Sequence, residues 1–220
     1  MDFQYISFGF DCSPAGALRE LNLRTCAHPF DWTQTNYGSI SACIRDNFKR
    51  FHRELRLNKT KQRLIDAYGI QFPHDYPTTS SKIYVPVDDN FYGEQVICED
   101  YERYADQVLE KYGRRIERFR NSMADLTKPI IALYRGEYAN GFKLKQLLES
   151  TYGRENIIFI VATKERPTIQ YPSIIACDPE ERGKWNDSTI WSQAIEIAKQ
   201  RYPFLLIKPI VKVNRFSMKI

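Results

Sequence analysis

The sequence predicts an α/β fold, a mainly parallel sheet of at least four strands with helices on both faces. Three observations carry this reading. The runs Pro129–Tyr134, Asn156–Ala162 and Ser173–Cys177 are continuously apolar, the pattern of strands buried on both sides rather than on one. Stretches with helical spacing separate them, and alternation of strand and helix favours parallel pairing. An earlier apolar run, Tyr5–Phe10, leads into a further helix signal and supplies the fourth strand.

Taken in order, the first strand ends at the elbow Asp11-Cys12-Ser13-Pro14. Ser13 suits a helix N-cap and Pro14 the first helical position, so a helix follows through Leu21. A loop with two large aromatics around an aspartate, Thr25 to Trp32, comes next. Ile40, Cys43, Ile44, Phe48 and Phe51 recur at helical spacing from about Tyr37 to Phe51. Between Leu55 and Gly93 the pattern is irregular, with extended pieces at 69–77 and 82–87; prolines 73, 77 and 86 place these at edges or in loops. Ile97, Tyr101, Tyr104, Val108, Tyr112, Ile116, Phe119 and Met123 predict one long helix from about Glu94 to Ala124. Beyond it, a helix from Gly141 to Tyr152 stops at Gly153, and Asp187 or Ser188 caps a last helix with Ile190, Trp191, Ala194, Ile195 and Ala198 inward. Cys12, Arg135 and Asp178 each follow a strand, on the edge where parallel sheets carry their sites.

The 220 residues read as one domain, 1–220, of ordinary globular composition. Five cysteines, an odd number without the spacing of a zinc knuckle or redox pair, read as reduced thiols. No metal or cofactor is expected. The N-terminus lacks a signal-peptide pattern and no segment has the apolar length to span a bilayer, so the expected location is cytoplasmic, without membrane contact. A formal charge of +5, spread along the chain, does not indicate nucleic acid. The substrate classes left open are a small molecule, a peptide or a glycan.

Chemistry centres on Cys12. One residue outside a helix N-terminus, its thiolate is stabilised by unpaired N–H groups, which predicts that iodoacetamide modifies it ahead of the other four cysteines. An aspartate next to it opposes that, unless Asp11 faces away or pairs with a cation. A thiol nucleophile needs a base, and three histidines are available: His28, His52 and His74. His52 lies among arginines and reads as surface; spacing does not choose between His28 and His74. A third polar group orients the imidazole, with Asp31, Asp75 and Asp187 as candidates; Asp31, in its rigid aromatic loop, is selected. Arg135 and Arg115, with Arg114 and Arg118 beside it, suit a substrate carboxylate or phosphate, although a solvated helix face suits the last three better. Trp32 is a candidate wall of the substrate site.

Ser7-Phe8-Gly9-Phe10-Asp11-Cys12 with Ala15, Leu18 and Arg19, then Pro29-Phe30-Asp31-Trp32, His74-Asp75 and Tyr112-Gly113-Arg114-Arg115-Ile116-Glu117-Arg118-Phe119, resembles a bacterial and viral family. It is described as papain-like cysteine peptidases, the domain of unknown function numbered 1796. The likeness covers most of the chain, and Pro-Phe-Asp-Trp is its most specific part. It implies Cys12 as nucleophile and His74 as base, because the family's histidine belongs to a His-Asp pair. The chain departs from the family at Phe8 and Asp11, where leucine and a small or amide residue are usual. The family name implies a papain-like α+β fold with the histidine on an antiparallel sheet; the strand pattern implies Rossmann-like layering. Function is then expected to be Cys-His acyl transfer, as a peptidase, amidase or thioesterase. The alternatives are a coenzyme A-dependent acyltransferase acting on a glycan and a non-catalytic carbohydrate- or protein-binding module.

Overall fold

The computed structural model describes residues 2–80, 95–168, 171–178 and 187–205. The chain begins with β1 (Gln4–Gly9), α1 (Ser13–Glu20) and α2 (Tyr37–Arg45). Five short strands follow: β2 (Arg56–Leu57), β3 (Leu64–Ile65), β4 (Gln71–Phe72), β5 (Thr78–Ser80) and β6 (Gln95–Ile97). The long α3 (Glu102–Ala124) leads to β7 (Ile130–Arg135), α4 (Tyr138–Tyr152), β8 (Ile157–Ala162), β9 (Ile174–Cys177) and α5 (Ser188–Leu205).

Four strands form one wholly parallel sheet in the order β1-β7-β8-β9. Its register sets Gln4 opposite Ile130 and Gly9 opposite Arg135. Side chains alternate between layers, as the pleat requires. Ile6, Phe8, Ala132, Tyr134, Phe159 and Val161 face the layer holding α2, α3 and α4, whereas Ile131, Leu133, Ile158 and Ile160 face α1 and α5. Both faces are covered, which explains why the strands read as unbroken apolar runs. The layering is therefore three-layer α/β. The small sheets β2-β3-β4 and β5-β6 are antiparallel, and His74 follows the first of them instead of lying in a barrel core.

Helix α4 packs unusually close to the sheet. A Cβ built on Gly141 would lie 2.5 Å from Val161 Cγ2, so the absence of a side chain permits the approach. Gly153 closes this helix in the left-handed conformation, at φ 61°.

Three sequence expectations need correction. The long helix begins at Glu102, not 94, because residues 95–97 pair with β5; Ile97 and Tyr101 keep helical spacing across a strand and a turn. The helix from Tyr37 stops at Arg45, after which the backbone turns through positive φ at Asn47 and Phe48. Phe48 and Phe51 are still buried, so their spacing reports a core-facing turn. His52 is buried, stacked between Tyr76 and Tyr112 with the Tyr76 hydroxyl 2.7 Å from its Nε2. The extended piece expected at 82–87 lies outside the described residues. No helix among the described residues is long and apolar enough to cross a membrane.

Candidate active site

The carboxyl ends of β1 and β7 meet at the Cys12 elbow. Parallel pairing brings Gly9 beside Arg135, and the chain leaves β1 through Phe10 and Asp11. Cys12 is itself the N-cap of α1, and its side chain makes no capping bond. Asp11 does the capping: its Oδ1 accepts from the Ser13 amide at 2.9 Å and from the Ser13 hydroxyl at 2.6 Å. Arg135 Nη1 donates to Ser13 Oγ at 3.1 Å and lies 3.5 Å from Asp11 Oδ2. This guanidinium, expected at the substrate, thus ties two strand ends to the helix start. Pro14 has no N–H and the Ser13 amide is taken, which leaves the Asp11, Cys12 and Ala15 amides without an acceptor among the described residues.

His74 comes to the thiol, with Nε2 3.3 Å from Cys12 Sγ. The chain is pinned on either side of it. Phe72 and Tyr76 are buried, and Asp75 is held by Lys111 and by the Tyr112 hydroxyl at 2.8 Å. Asp75 therefore anchors the loop and makes no bond to the ring of its neighbour.

The Pro-Phe-Asp-Trp loop divides its residues between core and site. Phe30 inserts among Phe8, Phe48, Phe51 and Phe119. Asp31, only 2 % exposed, accepts from Ser7 Oγ, from Arg24 Nε at 3.1 Å and from the His28 amide at 3.0 Å. Its carboxylate oxygens are committed to these groups and not to His74, so the expected orienting contact is not made. Trp32 reaches His74 instead. At φ 64° its backbone turns the indole outward, edge-on to the imidazole with centroids 6.3 Å apart. Arg19 and Arg24 cover the indole at 4.8 and 5.7 Å. Arg115 donates to the Asp31 carbonyl at 3.3 Å and lies over the Tyr112 ring.

The other candidates fall elsewhere. His28 is 4 % exposed, packs edge-on against Phe119, and its Nε2 sits 3.6 Å from Cys26 Sγ. Asp187 caps α5 through the Thr189 amide at 2.9 Å. Sequence reasoning missed Arg63, whose charge acts on both Cys12 and His74. It also missed Lys111 and Tyr112, the anchors of Asp75. The signal for Tyr112 was its placement on the apolar stripe of α3; nothing local marked Arg63 beyond a basic run.

Electrostatics leave the pair neutral at rest. Burial, then the Asp11 carboxylate, pushes the Cys12 thiol up to about 11, with Asp75 adding and Arg63 opposing. Burial lowers His74 below the ordinary histidine value; Arg63 lowers it further while Asp75 raises it. A resting thiolate at the helix N-terminus is thus not favoured, and Asp11 opposes it even while facing Arg135. The arrangement suits a neutral imidazole that takes the thiol proton as the sulfur attacks.

Residues 3–157 match a family model described as "Putative papain-like cysteine peptidase (DUF1796)". The matched span runs from β1 to the start of β8 and includes Cys12, the Pro29–Trp32 loop, His74 and α3. No curated protein and no solved structure matches the chain. With most of its length matched, carrying the elbow thiol and the histidine beside it, the chain belongs to this family.

Proposed function

We propose that the protein, acting as a single domain over residues 1–220, is a Cys-His acyl-transfer enzyme of hydrolase type. Cys12 is the nucleophile, His74 the acid-base, and Trp32, Arg115 and Arg135 shape the site. The observation that carries this is the 3.3 Å contact between Cys12 Sγ and His74 Nε2 at a strand-to-helix elbow.

As sulfur attacks a substrate carbonyl carbon, the thiol proton passes to His74 Nε2. The tetrahedral oxyanion is received by the Cys12 and Ala15 amides, which have no other acceptor among the described residues. Collapse breaks the bond to the leaving group, which takes the proton from the His74 imidazolium and leaves an S-acyl enzyme. His74 then removes a proton from water, whose oxygen attacks the acyl carbon; the carboxylic acid departs and the thiol regains its proton. Asp31 acts as a positioning residue, fixing the loop that presents Trp32 to the imidazole. Arg135 holds the elbow closed.

The experiment is hydrolysis of a panel of p-nitrophenyl esters, aryl amides and thioesters by wild type, Cys12→Ala and His74→Gln, with mass analysis of the products. Release of free acid that disappears in both variants supports the reading. Turnover surviving in Cys12→Ala refutes it. Transfer to an added sugar or amine in place of water would assign the acyltransferase alternative.

A further inference from the structure

The cations that touch the 25–32 loop, Arg19, Arg24, Arg115 and Arg118, outnumber the acids available to them. Asp11 faces Arg135, Asp31 pairs with Arg24, and Asp75 pairs with Lys111. Arg19, Arg115 and Arg118 have no carboxylate partner among the described residues. Each is nonetheless held in place. Arg19 lies 4.8 Å over the Trp32 ring and Arg115 lies 4.9 Å over the Tyr112 ring. Arg118 donates to the Arg114 and Ala27 carbonyls at 3.2 and 3.3 Å. A guanidinium carries five N–H donors; the bond to the Asp31 carbonyl occupies one of Arg115's, and the two carbonyl bonds occupy two of Arg118's. The rest make no hydrogen bond to a described residue.

Crowding makes the imbalance costly. The charges of Arg24, Arg115 and Arg118 all bear on His28, which is 4 % exposed with its Nδ1 buried and without a hydrogen-bond partner among the described residues. Only the Asp31 carboxylate stands among them, and guanidiniums gathered around one acid repel one another until a further anion arrives. This cluster adjoins the reacting pair. Trp32, under Arg19, meets the His74 ring, and Tyr112, under Arg115, bonds the Asp75 carboxylate next in sequence to His74.

We infer that the acyl donor of Cys12 carries an anionic group, a carboxylate or a phosphate, bound by Arg19, Arg115 and Arg118 on the Trp32 side of the thiol. The inference rests on Cys12 as the nucleophile. An acidic substrate is then preferred over its neutral isostere, because the ion forms charge-assisted hydrogen bonds that an amide forms more weakly.

Two chloromethyl ketones test it, N-acetyl-glutamyl and N-acetyl-glutaminyl, which match in size and differ in charge. In both, the Cys12 sulfur displaces chloride from the methylene carbon and the thiol proton passes through His74 to buffer. The expected result is labelling of Cys12 about tenfold faster by the glutamyl probe, as one charge-assisted contact supplies. That ratio should fall towards one in Arg19→Gln and in Arg115→Gln, and return in part in Arg19→Lys. Arg19 is exposed on α1, so its variants remain informative if the half-buried Arg115 variant fails to fold. Protection against iodoacetamide by N-acetylglutamate or by inorganic phosphate, whichever acts at lower concentration, identifies the anion. Equal labelling by both probes in wild type overturns the inference while Cys12 stands as nucleophile. A tenfold ratio that survives in both Arg→Gln variants overturns the assignment to these arginines, and failure of both probes to label Cys12 overturns the inference together with the proposed function.

Discussion

Replacing Asp11 with asparagine measures how the elbow sets the reactivity of Cys12. Asparagine caps a helix as well as aspartate, so the bond to the Ser13 amide is kept while the negative charge beside the thiol is removed. The thiol stands at about 11 against an ordinary value of 9.0, with burial the larger cause and Asp11 the next. At pH 7 only about one molecule in ten thousand is thiolate, against about one in a hundred for an unperturbed thiol. Each pH unit that losing the Asp11 charge takes off that rise gains about tenfold in thiolate. A less basic thiolate is also a weaker nucleophile, with a Brønsted slope of about 0.4–0.5, so the net gain in alkylation rate is about threefold for each such unit. The assay is the second-order rate of iodoacetamide at the Cys12 peptide, followed by mass spectrometry from about pH 6 to about pH 11. Wild type should accelerate across the whole range and D11N should be faster at neutral pH, by about threefold for each unit removed. A wild-type plateau extending down to about pH 6, the mark of a resting thiolate–imidazolium pair, or an unchanged rate in D11N, refutes the reasoning.

Three further outcomes are expected. Burial holds the His52 imidazole down to about 4, against an ordinary 6.5, so the unfolded chain binds a proton between these values that the folded one does not. Stability present above pH 6.5 is lost as pH falls towards 4, by on the order of 3 kcal/mol, and His52→Gln should remove that slope in urea unfolding compared at several pH values. Gly141→Ala would ordinarily stabilise a helix interior by about 1 kcal/mol, but here the new methyl meets Val161, so a loss of about 1–3 kcal/mol is expected, relieved in the double variant with Val161→Ala. Asp31→Ala frees Arg24 and leaves Ser7 and the His28 amide unpaired, so it should cost about 2 kcal/mol in thermal unfolding, where a solvent-facing aspartate would cost almost nothing.

What the sequence made legible is what one-dimensional patterns encode. Continuous apolar strands between helices announce a sheet covered on both faces, and Ser13-Pro14 announces the helix after Cys12. Periodicity misled where a strand and turn imitate it, at Ile97 and Tyr101, and where a helix ends early but its next aromatics still face the core, at Phe48 and Phe51. Partners distant along the chain were illegible. Asp31 and Asp75 are both in sequence positions that suit an imidazole, yet Ser7 and Arg24 claim one, and Lys111 and Tyr112 the other. The first choice depends on how the 25–32 loop meets β1 and the second on how α3 lies across the site, which no local spacing records. Asp11 was legible as a threat to the thiolate but not as the cap of α1, because that role required the Ser13 amide to turn back towards it.

The most direct test is trapping the acyl-enzyme. Wild type, Cys12→Ala and His74→Ala are mixed with a p-nitrophenyl ester, quenched within the burst, and read by intact and peptide mass. A single acyl group on Cys12 is expected in wild type and none in Cys12→Ala, with formation slowed about a hundredfold or more in His74→Ala, the usual contribution of a positioned base. Acylation of another residue, or of Cys12 at an undiminished rate without His74, would contradict the account.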